Sequence, residues 1–115
     1  MKSKEWDTFS ESLRERRIIF PTSGFYEWSR DAKKTKYLFT VGDENLVCLC
    51  DVYRIIDGRY RFAILTCEAN ETMIDTHDRM PIIIGRDAFR PYLTEYETAI
   101  DLIAAASPSL TREAV

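Results

Sequence analysis

The stretch YLFTVGDENLVCLCDVYRIIDGRYRFAILTC, residues 37–67, decides the fold class. Runs rich in aromatic and β-branched residues stand at Tyr37–Val41, Leu46–Val52 and Tyr60–Cys67. Turn formers separate them at Gly42-Asp43-Glu44-Asn45 and Asp57-Gly58. Three strands in a meander follow, and with them an antiparallel sheet. Upstream, Ile18-Ile19-Phe20 reads as a short strand halted by Pro21, and Phe25–Trp28 as an aromatic strand interrupted by Glu27. Residues 8–17 read as an amphipathic helix: Thr8 and Glu11 form a capping-box pattern, and Phe9 and Leu13 share one face. Downstream, Glu68–Thr76 has helical character and Pro81–Ile84 reads as a strand that starts at its proline. Asp87–Leu93 and Glu95–Ala106 read as helices interrupted near Pro91 and ended by Ser107-Pro108. The expected class is α+β, mainly an antiparallel β-sheet with peripheral helices.

With 115 residues, 45% hydrophobic and 12% aromatic, the chain has room for one core and one domain. No apolar run approaches the roughly 18–20 residues of a membrane helix, so no membrane partner is expected. Met1–Trp6 lacks the apolar stretch of a signal peptide, and a cytoplasmic location is the default expectation. Cys48, Cys50 and Cys67 fit neither a disulfide framework nor zinc spacing. They read as reduced core thiols, and no metal or other cofactor is expected. The net charge of −3 gathers at the end of the chain, where Glu95, Glu97, Asp101 and Glu113 face one base, Arg112. Bases cluster earlier, at Arg14/Arg16/Arg17, Arg30/Lys33/Lys34/Lys36 and Arg54/Arg59/Arg61. An acidic total therefore leaves room for a local basic face that attracts phosphates.

Three places break their local pattern. Glu27 sets a carboxylate between Tyr26 and Trp28, where poor hydration suits proton transfer, although alternation could also point it to water. His77 is the sole histidine and lies in His77-Asp78-Arg79-Met80-Pro81, where neighbours could hold it as a general acid or base or leave it a surface loop residue. The turn Ser23-Gly24 can bring backbone close to a ligand, or simply join two strands. Glu27 and His77 are 50 residues apart, and only the fold can bring them together.

Taken jointly, Arg16–Trp28 with its SGFYEW motif, Phe62–Thr66, Ala69-Asn70 and Ile74–Ile84 with HDRMP resemble the SRAP family, the SOS-response-associated peptidase-like proteins that process abasic sites, over about residues 8–93. The resemblance implies an SRAP-like fold and single-stranded DNA carrying abasic sites as partner. It implies a DNA–protein crosslink formed by a cysteine that follows the initiator methionine, with Glu27 and His77 as the catalytic acid/base pair. Arg79 would hold a phosphate, Thr66 would line the same cleft, and Ser23 and Gly24 would belong to the DNA-binding surface. Position 2 here is Lys2, and none of the three cysteines offers both a thiol and an α-amine. The chain, residues 1–115, is therefore expected to be a single SRAP-like domain truncated at its N-terminus relative to the family, a fragment or a degenerate relative. Lyase- or peptidase-type activity is implied by the family but lacks its nucleophile, and peptidase ranks lowest. A non-catalytic single-stranded DNA-binding module on the same scaffold, with Tyr26, Trp28 and Tyr37 as stacking surfaces, is the alternative. Open sheet edges predict a tendency to homodimerise.

Overall fold

The computed structural model describes residues 10–115. Thr8 and Phe9, the expected cap and first apolar contact of the leading helix, lie outside the described residues. Residues 10–15 are helical (α1) and present Leu13 to the core. The Arg17 guanidinium stabilises the end of this helix by donating to the carbonyls of Leu13 and Arg14, each at 2.8 Å. It also reaches the carbonyl of Tyr92 at 2.6 Å. Arg16 donates to the Tyr53 carbonyl and the Ser12 hydroxyl. Two of the three bases in the first cluster thus hold backbone and helix ends in place, and only Arg14 is left well exposed.

Among the described residues, nine strands form three antiparallel units. The largest has the order β1 (Arg17–Thr22), β4 (Val47–Ile56), β5 (Arg59–Ile64), with β8 (Ile83–Ile84) also pairing β4. The second has the order β2 (Phe25–Trp28), β3 (Lys36–Thr40), β9 (Thr111–Ala114). The third is a ribbon of β6 (Thr66–Glu68) and β7 (Arg79–Pro81). The expected α+β class with mainly antiparallel sheet is what the chain adopts.

Within that class several elements differ from expectation. The β4–β5 hairpin is as read: Asp57 (φ 52) and Gly58 (φ 76) both take positive φ, which a two-residue hairpin turn requires. The meander of three fails, because β3 joins β2 and β9 and not β4. Pro21 does not halt β1, which runs on to Thr22. An edge strand tolerates a residue without an N–H, and among the described residues β1 pairs only with β4. Pro81 ends β7 and does not start a strand. Ile82 follows it as a three-way junction: Cys50 N–H donates to the Ile82 carbonyl, Ile82 N–H to the Leu65 carbonyl, and Leu65 N–H to the Cys50 carbonyl, each at 2.9 Å. This junction also splits the expected strand Tyr60–Cys67 into β5 and β6. Glu68 lies in β6, and the helical character upstream of His77 amounts to turns over residues 71–76. Pro91 sits in the first turn of α2 (Phe89–Thr94), where its missing N–H is harmless, and the break before α3 (Tyr96–Ala104) falls at Glu95.

Alternation along β4 builds the main core. Cys48, Cys50 and Val52 pack with Leu65, Ile82, Ile84, Tyr92 and Ala99, so α2 and α3 cover this face. Both cysteines lie in the core, as expected, and burial pushes the Cys50 thiol up to about 12, with Asp51 and Cys48 adding to the effect. A second cluster of Phe39, Met73, Met80 and Leu110 packs between the β2–β3–β9 sheet and the segment before His77. The Asn70 side chain binds the end of the chain there, donating to the Pro108 carbonyl at 2.8 Å.

Candidate active site

The second cluster fixes the position of β2. Phe25 stacks on Phe39 with centroids 5.4 Å apart. Gly24 enters the strand so close to β3 that a Cβ there would stand 2.6 Å from the Phe39 carbonyl oxygen. From this anchor the strand alternates. Phe25 and Glu27 turn inward and are half-buried, while Tyr26 and Trp28 turn outward. Glu27 therefore does not lie in a sandwich of Tyr26 and Trp28; its own face carries Phe25.

Glu27 opens onto a cleft of about 290 Å³ whose walls also include Leu49, Ile64, Thr66, His77 and Arg79. Four of the candidate residues, Glu27, Thr66, His77 and Arg79, thus come together from β2, β6, β7 and the turn before it. Ser23 and Gly24 are not among the lining residues, and the tightness at Gly24 serves the approach of β2 to β3.

The β6–β7 ribbon explains the pairing of Thr66 with Arg79. The Arg79 guanidinium donates through Nη2 to the Thr66 carbonyl at 2.9 Å and to its hydroxyl at 3.1 Å, and through Nε to the same hydroxyl at 3.3 Å. Nη1 has no hydrogen-bond partner among the described residues. Thr66 acts as the positioning residue for that cation.

His77 is held by the turn that enters β7. Its Nδ1 accepts the Arg79 backbone N–H at 3.1 Å, so the neutral ring carries its proton on Nε2. Asp78 Oδ1 lies 3.2 Å from the same Nδ1. Asp78 also pairs with Arg30 at 3.5 Å, tying the loop after β2 to the histidine turn. Both partners are over half exposed, so this pair orients more than it stabilises.

Beside the cleft, which Tyr26 also lines, Lys36 Nζ sits 4.3 Å from the Tyr26 ring centroid and 5.4 Å from that of Trp28. This surface joins a cation to two half-exposed aromatic faces. Tyr37, the third expected stacking residue, instead lies beneath the Arg112 guanidinium, 4.4 Å away. The residues that the sequence reading missed are the apolar walls Leu49 and Ile64, whose alternation in β4 and β5 marks them only once the sheet order is known. None of the three cysteines lines the cleft, and among the described residues no cluster of ligating side chains fit for a metal ion forms. No helix among the described residues is long and apolar enough to cross a membrane.

The comparisons with known proteins agree with this architecture. The structure is similar to that of a protein from Bordetella bronchiseptica, with a TM-score of 0.79 at 22% identity over 94% of this chain and 59% of that one. It is similar also to a protein from Bacteroides thetaiotaomicron, with a TM-score of 0.71 at 24% identity over 93% of this chain and 52% of that one. In sequence, the chain is 31% identical over 106 residues to the abasic site processing protein YoaM of Bacillus subtilis (strain 168), covering 86% of this chain and 47% of that protein. It is 32% identical over 106 residues to the abasic site processing protein YoqW of Bacillus phage SPbeta, with 86% of this chain and 47% of that protein covered. The chain thus spans about half the length of the curated relatives it matches. The family model for SOS response associated peptidase (SRAP) matches residues 2–114, and on that match, nearly the whole of its length, the chain belongs to the SRAP family.

Proposed function

We propose that this chain binds single-stranded DNA at abasic sites, with Arg79 on a backbone phosphate and Glu27 and His77 moving protons at the exposed deoxyribose. The observation that carries this reading is the convergence of Glu27, His77 and Arg79 on one cleft from separate strands. An abasic sugar exchanges between a closed hemiacetal and an open aldehyde. Opening the ring needs a base for the anomeric hydroxyl and an acid for the ring oxygen. A carboxylate and an imidazole bearing its proton on Nε2 are matched to those two tasks. Arg79 supplies the fixed cation, because Thr66 occupies Nε and Nη2 and leaves Nη1 for the phosphate. The SRAP relatives named as abasic site processing proteins support the same substrate. Covalent capture through a described cysteine finds no support, since Cys48 and Cys50 are buried and Cys67 lies off the cleft. The alternative is a binding module without chemistry, favoured by one feature, the Lys36–Tyr26–Trp28 surface on which bases can stack.

Binding of intact and abasic single-stranded DNA at two salt concentrations separates the two readings. Tighter binding of the abasic strand supports processing. Equal affinity with a steep salt slope supports the stacking module, and absence of binding rejects both. Borohydride trapping on the abasic strand, with a full-length family member as positive control, tests whether an amine of this chain forms a Schiff base with the open aldehyde.

A further inference from the structure

We infer that the β4–β5 hairpin is a second contact for the DNA strand, with Arg54, Arg59 and Arg61 on phosphates that flank the nucleotide seated in the cleft. The inference rests on the function proposed above and extends its footprint. Residues directly opposite one another across a strand pair share a face, as do alternate residues along each strand. Arg54 stands directly opposite Arg61, and Arg59 follows two residues along on the same face. All three arginines are exposed.

The hairpin sets one acid, Asp57 in its turn, against these three bases. Glu11, which shares a hollow of about 220 Å³ with Arg54, pairs with Arg16 at 3.6 Å. None of Arg54, Arg59 and Arg61 has an ion pair among the described residues. Other arginines are committed within the fold: Arg17 to the Tyr92 carbonyl, Arg30 to Asp78, Arg79 to Thr66 and Arg112 to Thr76. Like charges directly opposite one another across a strand pair destabilise it. A chain of net charge −3 thus carries a cross-strand arginine pair that an anion would relieve.

Spacing and alternation select a nucleic acid over a single ion. The Leu65 N–H bond to the Cys50 carbonyl fixes the register, which makes Arg54 and Arg61 a hydrogen-bonded pair with Cα atoms about 5.5 Å apart. Arg59 and Arg61 stand about 7 Å apart along β5. Successive phosphates of one strand can meet such a row, and the guanidinium fork suits their oxygens. Within Arg59-Tyr60-Arg61-Phe62, alternation puts the cations on one face and two rings, 63% and 67% exposed, on the other. Cations for phosphates beside rings for bases is the chemistry of single-strand binding. The cleft is close by: its wall residue Ile64 lies three residues from Arg61, about 10 Å along the strand. A few nucleotides rounding β5, whose only strand partner among the described residues is β4, connect the two places.

The test compares the chain with the double variant Arg54→Thr/Arg61→Thr, which sets two strand-favouring threonines opposite one another and so preserves the hairpin. Fluorescence anisotropy is read with single strands of about 5 and about 16 nucleotides, each with one central abasic site, over a range of salt. The variant should melt no lower than the wild type, because a like-charge pair is gone. It should bind the long strand about tenfold or more weakly, and the slope of log affinity against log salt should shrink by about 1.4 for two lost phosphates. The short strand should bind both proteins alike. Arg59→Gln, which leaves the cross-strand pair in place, repeats the contrast with one contact and a slope change of about 0.7. Long-strand affinity and slope unchanged in both variants overturn the inference, and if Arg79→Ala still weakens both lengths, the cleft reading stands without it. Equal weakening of short and long strands also overturns it. Absence of wild-type binding to either strand overturns the inference and the cleft reading together.

Discussion

Replacing Asp51 by Asn removes a buried charge that has no partner among the described residues. Asp51 is 1% exposed, and neither of its carboxylate oxygens has a hydrogen-bond partner among the described residues. It stands in the centre of β4 between Ile18 of β1 and Ile64 of β5. Burial raises its carboxyl from 3.8 to about 6. A difference of that size corresponds to about 3 kcal/mol between the protonated and ionised forms. The folded state holds the proton more tightly than the unfolded chain does. The resulting stabilisation is full below about pH 4, falls as the pH rises through about 6, and is gone above it. Asn carries no charge at any pH and is as short of partners as the protonated acid. Asp51→Asn should therefore match the wild type near pH 4 and exceed it by up to about 3 kcal/mol at pH 8. Urea unfolding of both proteins from pH 4 to 8, at concentrations that keep them monomeric, reads the difference directly, and other titrating groups cancel in the comparison. A variant no more stable than wild type at pH 8, or a gap that does not change with pH, would refute the account of Asp51 as a buried, unpaired carboxylate.

Three other substitutions probe the scaffold and the site. Gly24→Ala places a methyl group 2.6 Å from the Phe39 carbonyl and forces β2 away from β3; chemical denaturation should show a loss of about 1–3 kcal/mol. Tyr92→Phe removes the fully buried hydroxyl that donates to the Asp51 carbonyl at 2.8 Å, and should lower stability by about 1–2 kcal/mol in the same assay. Thr66→Val keeps the side-chain shape but takes away the oxygen that accepts from Arg79 Nε and Nη2. Its melting temperature should stay near wild type while its DNA affinity falls by less than that of Arg79→Ala, a contrast that fluorescence anisotropy resolves.

The parts of the fold legible in the sequence are those where local chemistry and global structure agree. Asp57-Gly58 announces its hairpin because both residues reach positive φ, and the spacing of Cys48 and Cys50 within an apolar run places both thiols on one buried face. Where long-range pairing decides, local signals mislead. Nothing within residues 37–56 reveals that β3 leaves β4 for another sheet, since the loop between them suits a hairpin equally well. β9 is invisible by composition: Thr111–Ala114 is polar and exposed, and it is a strand because β3 offers it an edge and Arg112 docks on Tyr37 and Thr76. At the site, Glu27 and His77 stand out as a carboxylate in an apolar strand and a lone histidine. The structure adds the cleft that unites them and the use of Thr66 to orient Arg79. The basic clusters divide in a way composition does not foretell, with Arg16 and Arg17 directed at backbone carbonyls and Arg30 and Lys36 placed near the cleft.

The most direct test of the central claim, that one cleft joins a phosphate-holding arginine to a proton-transferring pair, is the ratio of affinities for abasic and intact single-stranded DNA. It should be measured for the wild type, Glu27→Gln, His77→Ala and Arg79→Ala at one salt concentration. The account predicts a wild-type preference for the abasic strand that Glu27→Gln and His77→Ala abolish, while Arg79→Ala weakens both strands alike and leaves the ratio unchanged. Equal wild-type affinity for the two strands, or a preference that survives both Glu27→Gln and His77→Ala, would contradict it.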